Sequence, residues 1–199
     1  MRIPIAVALA CIALHLSAAT GAGPSARSVV ETLQSGLLES MKQGIEADFP
    51  ARYALLAPVV TETHDFDTVG RLVIGRKYWG ALQAEQQRSF LDTFRELSIA
   101  TYTDNFSAWS GERFEVLSEE KTPRGNQLVR TGLTKADGEQ VLLDYVLKTR
   151  DGDWLIINVI ADGVSDLALK RSEYTQVLDD RGYDALIEML RGKIAQAAK

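Results

Sequence analysis

Trp154-Leu-Ile-Ile-Asn-Val-Ile-Ala-Asp-Gly-Val-Ser-Asp-Leu-Ala-Leu-Lys-Arg-Ser-Glu-Tyr174 is the segment that says most about the architecture of this chain. Its first half reads as a strand with apolar side chains on both faces, and an Asp-Gly corner leads from it into a helix. A strand carries two apolar faces when each of them is covered. We therefore expect a sheet whose faces are covered by helices, by a ligand, or by both.

Three more strands are predicted upstream of this segment, and each connection is short and rich in turn residues. Hairpin connections of this length indicate an antiparallel meander. In the fourth strand, simple alternation places Ile156 and Ile160 on one face together with Asn158. The predicted strands are 113–121, 126–135, 139–148 and 153–162.

Helical periodicity precedes and follows these strands. Pro58 is expected to end or bend the second helix, and a short apolar element is expected at 68–74. Because helices come first and strands later, the chain is predicted to be an α+β domain. The predicted helices run from Ser28 to Gly44, from Pro50, from Glu85 to Trp109, from Asp166 to Asp179 with a stop near Gly182, and onward from Asp184.

Residues 1–22 have the layout of a cleavable secretory signal. Met1-Arg2 provides a positive start, residues 3–16 are almost continuously apolar, and small residues follow to Ala22. We expect export and a single mature domain at 23–199. Removal of the signal would also remove Cys11, so thiol chemistry is not expected in the mature protein.

The net charge of the chain limits the classes of molecule that it is expected to bind. The chain has 22 basic and 27 acidic residues and a formal net charge of −5 at pH 7. An acidic balance disfavours binding to nucleic acid or to anionic lipid surfaces. We expect no nucleic-acid partner and no stable membrane insertion, so that a membrane is met through a protein partner or an apolar contact.

Catalytic and metal-binding motifs are not evident. His64 is the only histidine outside the signal, and the segment at Gly163 lacks the second glycine of a nucleophile elbow. Gly70 and Gly75 are not followed by the residues of a phosphate loop. We expect no catalytic residue, no metal and no cofactor, and we interpret His64 to Asp67 as a solvated turn.

Asn158 is the polar residue that interrupts the apolar run of the fourth strand. A buried amide without partners costs about 1 to 3 kcal/mol. We expect it to pair with the backbone or with Tyr145, or to contact the polar group of a ligand.

From Gly70 onward the chain resembles the MlaC-type carriers, also called the toluene-tolerance auxiliary family. The resemblance is carried by Leu72 to Trp79, by Glu85-Gln86 with Phe90 and Phe94-Arg95, and by Trp154 to Ser165. The run Asp162 to Tyr174 and the later Gly182 to Leu186 are most similar to the hopanoid-associated HpnM branch. The resemblance implies a curved four-stranded antiparallel sheet of the cystatin-like or nuclear-transport-factor-like kind, packed with helices around an apolar cavity.

The resemblance further implies a periplasmic carrier that holds lipid tails as cargo and shuttles the lipid between an inner-membrane transporter and an outer-membrane lipoprotein complex. Whether the cargo is a phospholipid or a hopanoid-type lipid stays open. We expect the following residues to contact lipid: Val73, Tyr78, Trp79, Phe94, Tyr102, Leu143, Tyr145, Ile156, Asn158, Ile160, Val164 and Ser165.

Two other functions compete with this one. Tyr145 or Tyr102 could act with Asp144 or Asp162 in isomerase or dehydratase chemistry. Alternation puts Asp144 and Tyr145 on opposite faces of their strand, which argues against that pair. The other alternative is an envelope adaptor that carries nothing, and it predicts a filled core without a continuous cavity.

Overall fold

A computed structural model describes residues 23–44 and 47–199. The predicted signal, 1–22, lies outside the described residues. The elements in chain order are α1 (Ala26–Gln43), α2 (Phe49–Thr63), α3 (Phe66–Ala81), α4 (Ala84–Asn105), β1 (Arg113–Lys121), β2 (Gln127–Thr134), β3 (Gln140–Arg150), β4 (Asp153–Ala161), β5 (Val164–Ser165) and α5 (Asp166–Ala197). The predicted α+β class is confirmed.

The helices differ from the prediction mainly at their ends. Helix α1 starts earlier than predicted because the Ser25 hydroxyl accepts a hydrogen bond from the Ser28 N–H at 3.1 Å. Helix α2 continues through Pro58 to Thr63, so the expected end at that proline is wrong. The short apolar element expected at 68–74 is part of the full helix α3, and α4 ends at Asn105 rather than Trp109.

Two glycines interrupt the long helices. Gly75 in α3 has φ 75°, and Gly182 in α5 has φ 81°. Side chains other than glycine rarely adopt these dihedrals, so each glycine permits a sharp change of direction. The helix stop predicted near Gly182 is confirmed as this break.

Within the described residues, the sheet has five strands in the order β1-β2-β3-β4-β5, and its neighbouring strands are antiparallel. The predicted count of four is wrong because β5 adds a short strand. Asp162 and Gly163 have φ 47° and 82° and turn the chain back tightly, so that Val164 pairs with Ala161.

A β-bulge in β4 changes which residues face inward. Val146 pairs with Asn158 and Leu147 pairs with Ile156, so Ile157 is an extra residue. A shift of one residue exchanges the two faces of a strand. Beyond the bulge, Val159 therefore lies opposite Tyr145, and the prediction that Ile156 and Ile160 share a face is wrong.

In the part of the chain that the structure describes, the helices form two hydrophobic cores. The first joins α1 and α2 to the inner face of the sheet through buried residues such as Val30, Leu33 and Leu147. The second joins α3, α4 and α5 around Phe90 and Leu186. This arrangement leaves the remaining part of the inner sheet face opposite α4 and the start of α5.

Candidate functional site

A cavity of about 270 Å³ lies where these two cores meet. Its sheet wall is formed by β3 and β4, and α4 lies across from them. The start of α5 and the junction between α2 and α3 complete the wall. The lining residues on the sheet are Leu143, Tyr145, Ile156, Ile157, Asn158, Val159 and Ala161; those on the helices are His64, Phe66, Val69, Phe94, Ser98, Thr101, Tyr102, Asn105, Phe106, Asp166, Leu167 and Lys170.

Aromatic rings form part of the helical wall. Phe66 packs edge-on against Phe94 with ring centroids 6.0 Å apart, and Tyr102 lies 6.1 Å from Phe106. Such pairs hold large apolar side chains in fixed relative positions. The cavity consequently has a mostly apolar boundary on this side.

The hydroxyl groups on α4 do not make the cavity polar. Ser98 donates to the Phe94 carbonyl at 2.9 Å, and Thr101 donates to the Leu97 carbonyl at 2.8 Å. Both hydroxyls are thus satisfied within their own helix and need no water from the cavity. Their short side chains leave space that a leucine or phenylalanine would fill.

His64 and Tyr102 form a neutral pair at the junction of α2 and α3. The Nδ1 atom of His64 donates to the Val60 carbonyl at 3.0 Å, so its Nε2 atom accepts from the Tyr102 hydroxyl at 3.1 Å. Burial lowers the pKa of His64 to about 4 and raises the pKa of Tyr102 well above its ordinary value. The pair therefore carries no charge at neutral pH.

The backbone holds this junction against the sheet. His64 makes a parallel bridge to Ile156, and the Asp65 N–H donates to the Ile156 carbonyl at 3.0 Å. The buried Asp65 carboxylate accepts from the Thr68 N–H at 3.0 Å and from Arg150 Nη1 at 2.7 Å. The interpretation of this segment as a solvated turn is wrong, because Asp65 caps α3 and His64 faces the cavity.

The side chain of Asn158 is hydrogen-bonded to residues at the start of α5. Its Oδ1 atom accepts from the Ser165 hydroxyl and from the Leu167 N–H, each at 3.1 Å. The Ser165 oxygen in turn accepts from the Ala168 N–H at 3.2 Å. These contacts satisfy two of the free N–H groups of the helix. The prediction that Asn158 pairs with Tyr145 is wrong, whereas the prediction that it pairs with the backbone is confirmed by the bond from the Leu167 N–H.

Three lining residues are exposed to solvent, and they define the mouth of the cavity. Asn105 at the end of α4, Ala161 at the end of β4 and Asp166 at the start of α5 are all exposed. Lys170 Nζ contacts the Asp166 carboxylate, so the charges at the mouth are paired with each other. The charged groups of the lining are thus confined to the rim.

Six of the twelve residues expected to contact lipid lie on the cavity wall: Phe94, Tyr102, Leu143, Tyr145, Ile156 and Asn158. Their contact with lipid remains a prediction. Burial raises the pKa of Tyr145 to about 12, so this side chain is neutral in the wall.

The other six residues do not line the cavity in the part of the chain that the structure describes. Val73 is fully buried in the second core, and Ile160 is turned to the outer sheet face by the bulge at Ile157. Val164 is 52% exposed in β5. Ser165 is the N-cap of α5, and its hydroxyl oxygen accepts from the Ala168 N–H instead of facing the cavity.

Tyr78 and Trp79, near the end of α3, contact residues that are not part of the cavity wall. The Tyr78 hydroxyl donates to the Asp179 carboxylate, and the Arg71 guanidinium lies 5.1 Å from the centre of the Trp79 ring. Both side chains pack on the second core instead of the cavity.

Sequence reasoning missed several wall residues, among them Ser98, Val159 and Lys170. Ser98 lies four residues after Phe94 in the same helical stripe, which is a signal that could have identified it. Val159 could not be found in this way, because the bulge that turns it inward has no distinct sequence pattern.

The acid and base pairs of the enzyme alternative are not assembled. The Asp144 carboxylate lies 3.7 Å from the Arg130 Nε atom on the outer sheet face, and Asp162 accepts from the Leu142 N–H at 2.9 Å. Within 23–44 and 47–199, no three His, Cys, Asp or Glu side chains are grouped as for a metal ion. None of the helices in these ranges has the length and apolar character to span a membrane.

The chain is similar in sequence to proteins of known families. The sequence model of the MlaC protein family matches residues 29–192. The intermembrane phospholipid transport system binding protein MlaC of Haemophilus influenzae is 25% identical over 136 residues, which are 66% of this chain and 63% of that relative. The toluene tolerance protein ttg2D of Pseudomonas putida is 23% identical over 161 residues, 80% of this chain and 73% of the relative.

A solved structure has the same fold. It is that of a phospholipid-binding protein from Ralstonia solanacearum in complex with a phospholipid, and it superposes with a TM-score of 0.77 at 22% identity. The match covers 88% of this chain and 100% of that one. Since the family model matches nearly the whole described chain, this protein belongs to the MlaC protein family.

Proposed function

We propose that this protein is a periplasmic carrier that holds the acyl tails of a phospholipid in the cavity between β3, β4 and α4. The observation that carries this proposal is the internal pairing of the polar groups on the inner wall. Ser98 and Thr101 bond to their own helix, His64 and Tyr102 bond to each other, and Asn158 caps α5. A wall whose polar groups are already satisfied suits an apolar ligand.

Enclosure is the physical requirement of such a carrier. Transfer of one methylene group from water to an apolar site is worth about 0.8 kcal/mol, so a sixteen-carbon tail represents on the order of 12 kcal/mol. A groove open to water would recover only part of this free energy. The cavity of about 270 Å³ offers a mostly apolar surface between the sheet and α4, and it opens to solvent at its mouth.

The proposed cargo follows from the named relatives. The Haemophilus relative is named for phospholipid transport between membranes, and the Ralstonia structure holds a phospholipid. We extend both properties to this chain. A hopanoid-type cargo, which the branch resemblance suggested, remains the alternative and would also present an apolar body.

The proposed action is passive shuttling between an inner-membrane lipid transporter and an outer-membrane lipoprotein complex. A carrier alone can only equilibrate its cargo between donor and acceptor, so direction must come from their different affinities. We propose no chemical step, because the Tyr102 hydroxyl is paired with His64 and, among the described residues, no carboxylate is hydrogen-bonded to Tyr102 or Tyr145. The adaptor alternative is disfavoured, since it requires a filled interior.

The test begins with the protein purified from its native host. Lipids extracted from it are identified and quantified by mass spectrometry, and delipidated protein is then incubated with vesicles. We expect one phospholipid per protein in both samples. Protein that neither retains lipid nor takes it up contradicts the proposal, and recovery of a polycyclic lipid alone would replace phospholipid as the cargo.

Neighbouring residues on β3 provide a matched pair of variants. Leu143 is 8% exposed and lines the cavity, whereas Leu142 is 46% exposed on the opposite face. We expect Leu143→Trp to fill the cavity and to lower lipid uptake by about tenfold or more, since part of the tail would stay in water. Leu142→Trp should keep uptake near that of the wild type, and equal uptake by both variants would count against the assigned cavity.

A further inference from the structure

A second cleft, of about 340 Å³, adjoins the mouth of the cavity. It lies between α4 and both ends of α5, which Gly182 folds back on itself. Thr101, Asp166 and Lys170 line the cavity and the cleft together. A molecule that fills the cavity can therefore extend across these three residues into the cleft.

The cleft has a different chemistry from the cavity. Lys170 contacts Asp166, and Lys193 Nζ lies 2.5 and 2.7 Å from the two carboxylate oxygens of Glu173. Asp104 also lines the cleft, and the described residues place no cationic group within 4 Å of it. The cleft thus contains two ammonium groups, two paired carboxylates and one carboxylate left over.

This charge balance discriminates between kinds of headgroup. A phosphate group can accept hydrogen bonds from Lys170 and Lys193, which would share their protons with the acidic partners. A further negative charge would meet the uncompensated Asp104. A primary ammonium group beside that phosphate would instead donate to Asp104 and offset the charge of the phosphate, so that the lipid adds no net charge to the cleft.

We propose that this cleft binds the headgroup of a zwitterionic phospholipid that carries a primary ammonium group beside its phosphate. The inference rests on the proposed function, because it assumes that the tails of the same lipid occupy the cavity. The phosphate lies between Lys170 and Lys193, and the ammonium group lies at Asp104. The cleft therefore determines which phospholipid the carrier prefers.

The experiment uses the delipidated full-length mature protein and vesicles that contain equal amounts of phosphatidylethanolamine, phosphatidylcholine, phosphatidylglycerol and diacylglycerol with matched tails. Bound lipid is extracted and quantified by mass spectrometry. We expect phosphatidylethanolamine to be enriched about threefold over phosphatidylglycerol, the size expected for a partly exposed ion pair. Phosphatidylcholine, whose ammonium group cannot donate a hydrogen bond, should be enriched less.

Two substitutions test the ammonium site and the phosphate site of the cleft independently. Asp104→Asn should abolish the preference for phosphatidylethanolamine over phosphatidylglycerol. Lys193→Gln should lower the ratio of the three phospholipids to diacylglycerol. Glu96→Gln removes the same charge as Asp104→Asn from an exposed site on the same helix, α4, and should have no effect on any ratio.

The outcomes distinguish the cleft from the cavity. If lipids are taken up in the proportions of the vesicles and Asp104→Asn changes nothing, the headgroup site is wrong while the carrier function stands. If the wild type takes up no lipid at all, the carrier function itself is wrong. A preference that disappears at about 0.5 M salt supports the ionic origin of the selectivity, and one that salt leaves intact contradicts it.

Discussion

The inner face of the sheet is covered in two different ways. Under α1 and α2 it is filled, because Val30, Leu33 and Leu37 are fully buried and pack with Leu147 and its neighbours. Under α4 and the start of α5, the same face borders the cavity. One sheet thus supports a filled half and a hollow half.

The difference lies in the side chains of the covering helices. The buried stripe of α1 is mainly aliphatic, and its branched side chains pack closely with those of the strands. On α4, the corresponding stripe alternates large rings such as Phe94 with short residues such as Ser98 and Thr101. The rings hold the helix away from the sheet, and the short hydroxyl side chains, which bond to their own helix, leave the gap unfilled.

Truncation of a leucine in each half should produce the largest effect. Leu33 is fully buried in the filled half, whereas Leu167 is half-buried at the cavity wall. We expect Leu33→Ala to lower the free energy of unfolding by about 3 kcal/mol, because it creates a void that neighbours cannot fill. Leu167→Ala should lower it by about 1 kcal/mol. Urea unfolding measures both values, and equal losses would contradict the distinction between the halves.

The contact between Asp65 and Arg150 joins α3, in the hollow half, to the end of β3. Asp65→Ala removes the cap of α3 and the partner of Arg150, and we expect a loss of about 2 kcal/mol in unfolding free energy. Asp67, whose side chain is 57% exposed and 3.6 Å from the same arginine, is the control. Asp67→Ala should change stability by less than about 0.5 kcal/mol.

His64 should make the hollow half sensitive to acid. Its pKa is about 4 in the folded protein and 6.5 for the ordinary side chain, so the unfolded chain takes up the proton first. The stability contributed by neutral His64 is present above pH 6.5 and is lost as the pH falls from 6.5 to 4. Because the ring is partly exposed, we expect a loss of about 1 to 2 kcal/mol rather than the full value of the shift.

The comparison variant for this pH effect is His64→Gln, which keeps a donor for the Val60 carbonyl but does not titrate. The difference in unfolding free energy between wild type and variant should change between pH 6.5 and 4 and be constant above pH 7. A constant difference over the whole range would show that His64 is not held neutral. Measurement of the difference removes the contribution of carboxylates that titrate in both proteins.

Sequence periodicity predicted most of the fold. Strand β1 has the predicted bounds, Arg113–Lys121, and the turn at Gly163 and the break at Gly182 lie where glycine indicated them. The full helix α3 was missed because Gly70 and Gly75 weaken its pattern. The two-residue strand β5 was missed because so short an element has no periodicity of its own.

The site was predicted less completely than the fold. Phe94, Tyr102 and Tyr145 lie on the cavity wall, but Tyr78 and Trp79 pack on the second core. Both sets are large and aromatic, and no local pattern separates a ring that lines a cavity from one that fills a core. The same limitation applies to His64, whose surroundings come from Val60 and from the distant Tyr102.

The sequence by itself determined the α+β class, the antiparallel order of the strands and the apolar character of β4, because these follow from local periodicity and turn residues. Tertiary structure alone decided which face of β4 borders the cavity, since the bulge at Ile157 becomes visible only in its pairing with β3. It also decided that α4 leaves a gap, because an unfilled volume depends on the distance between two elements that are remote in sequence and not on the residues of either one.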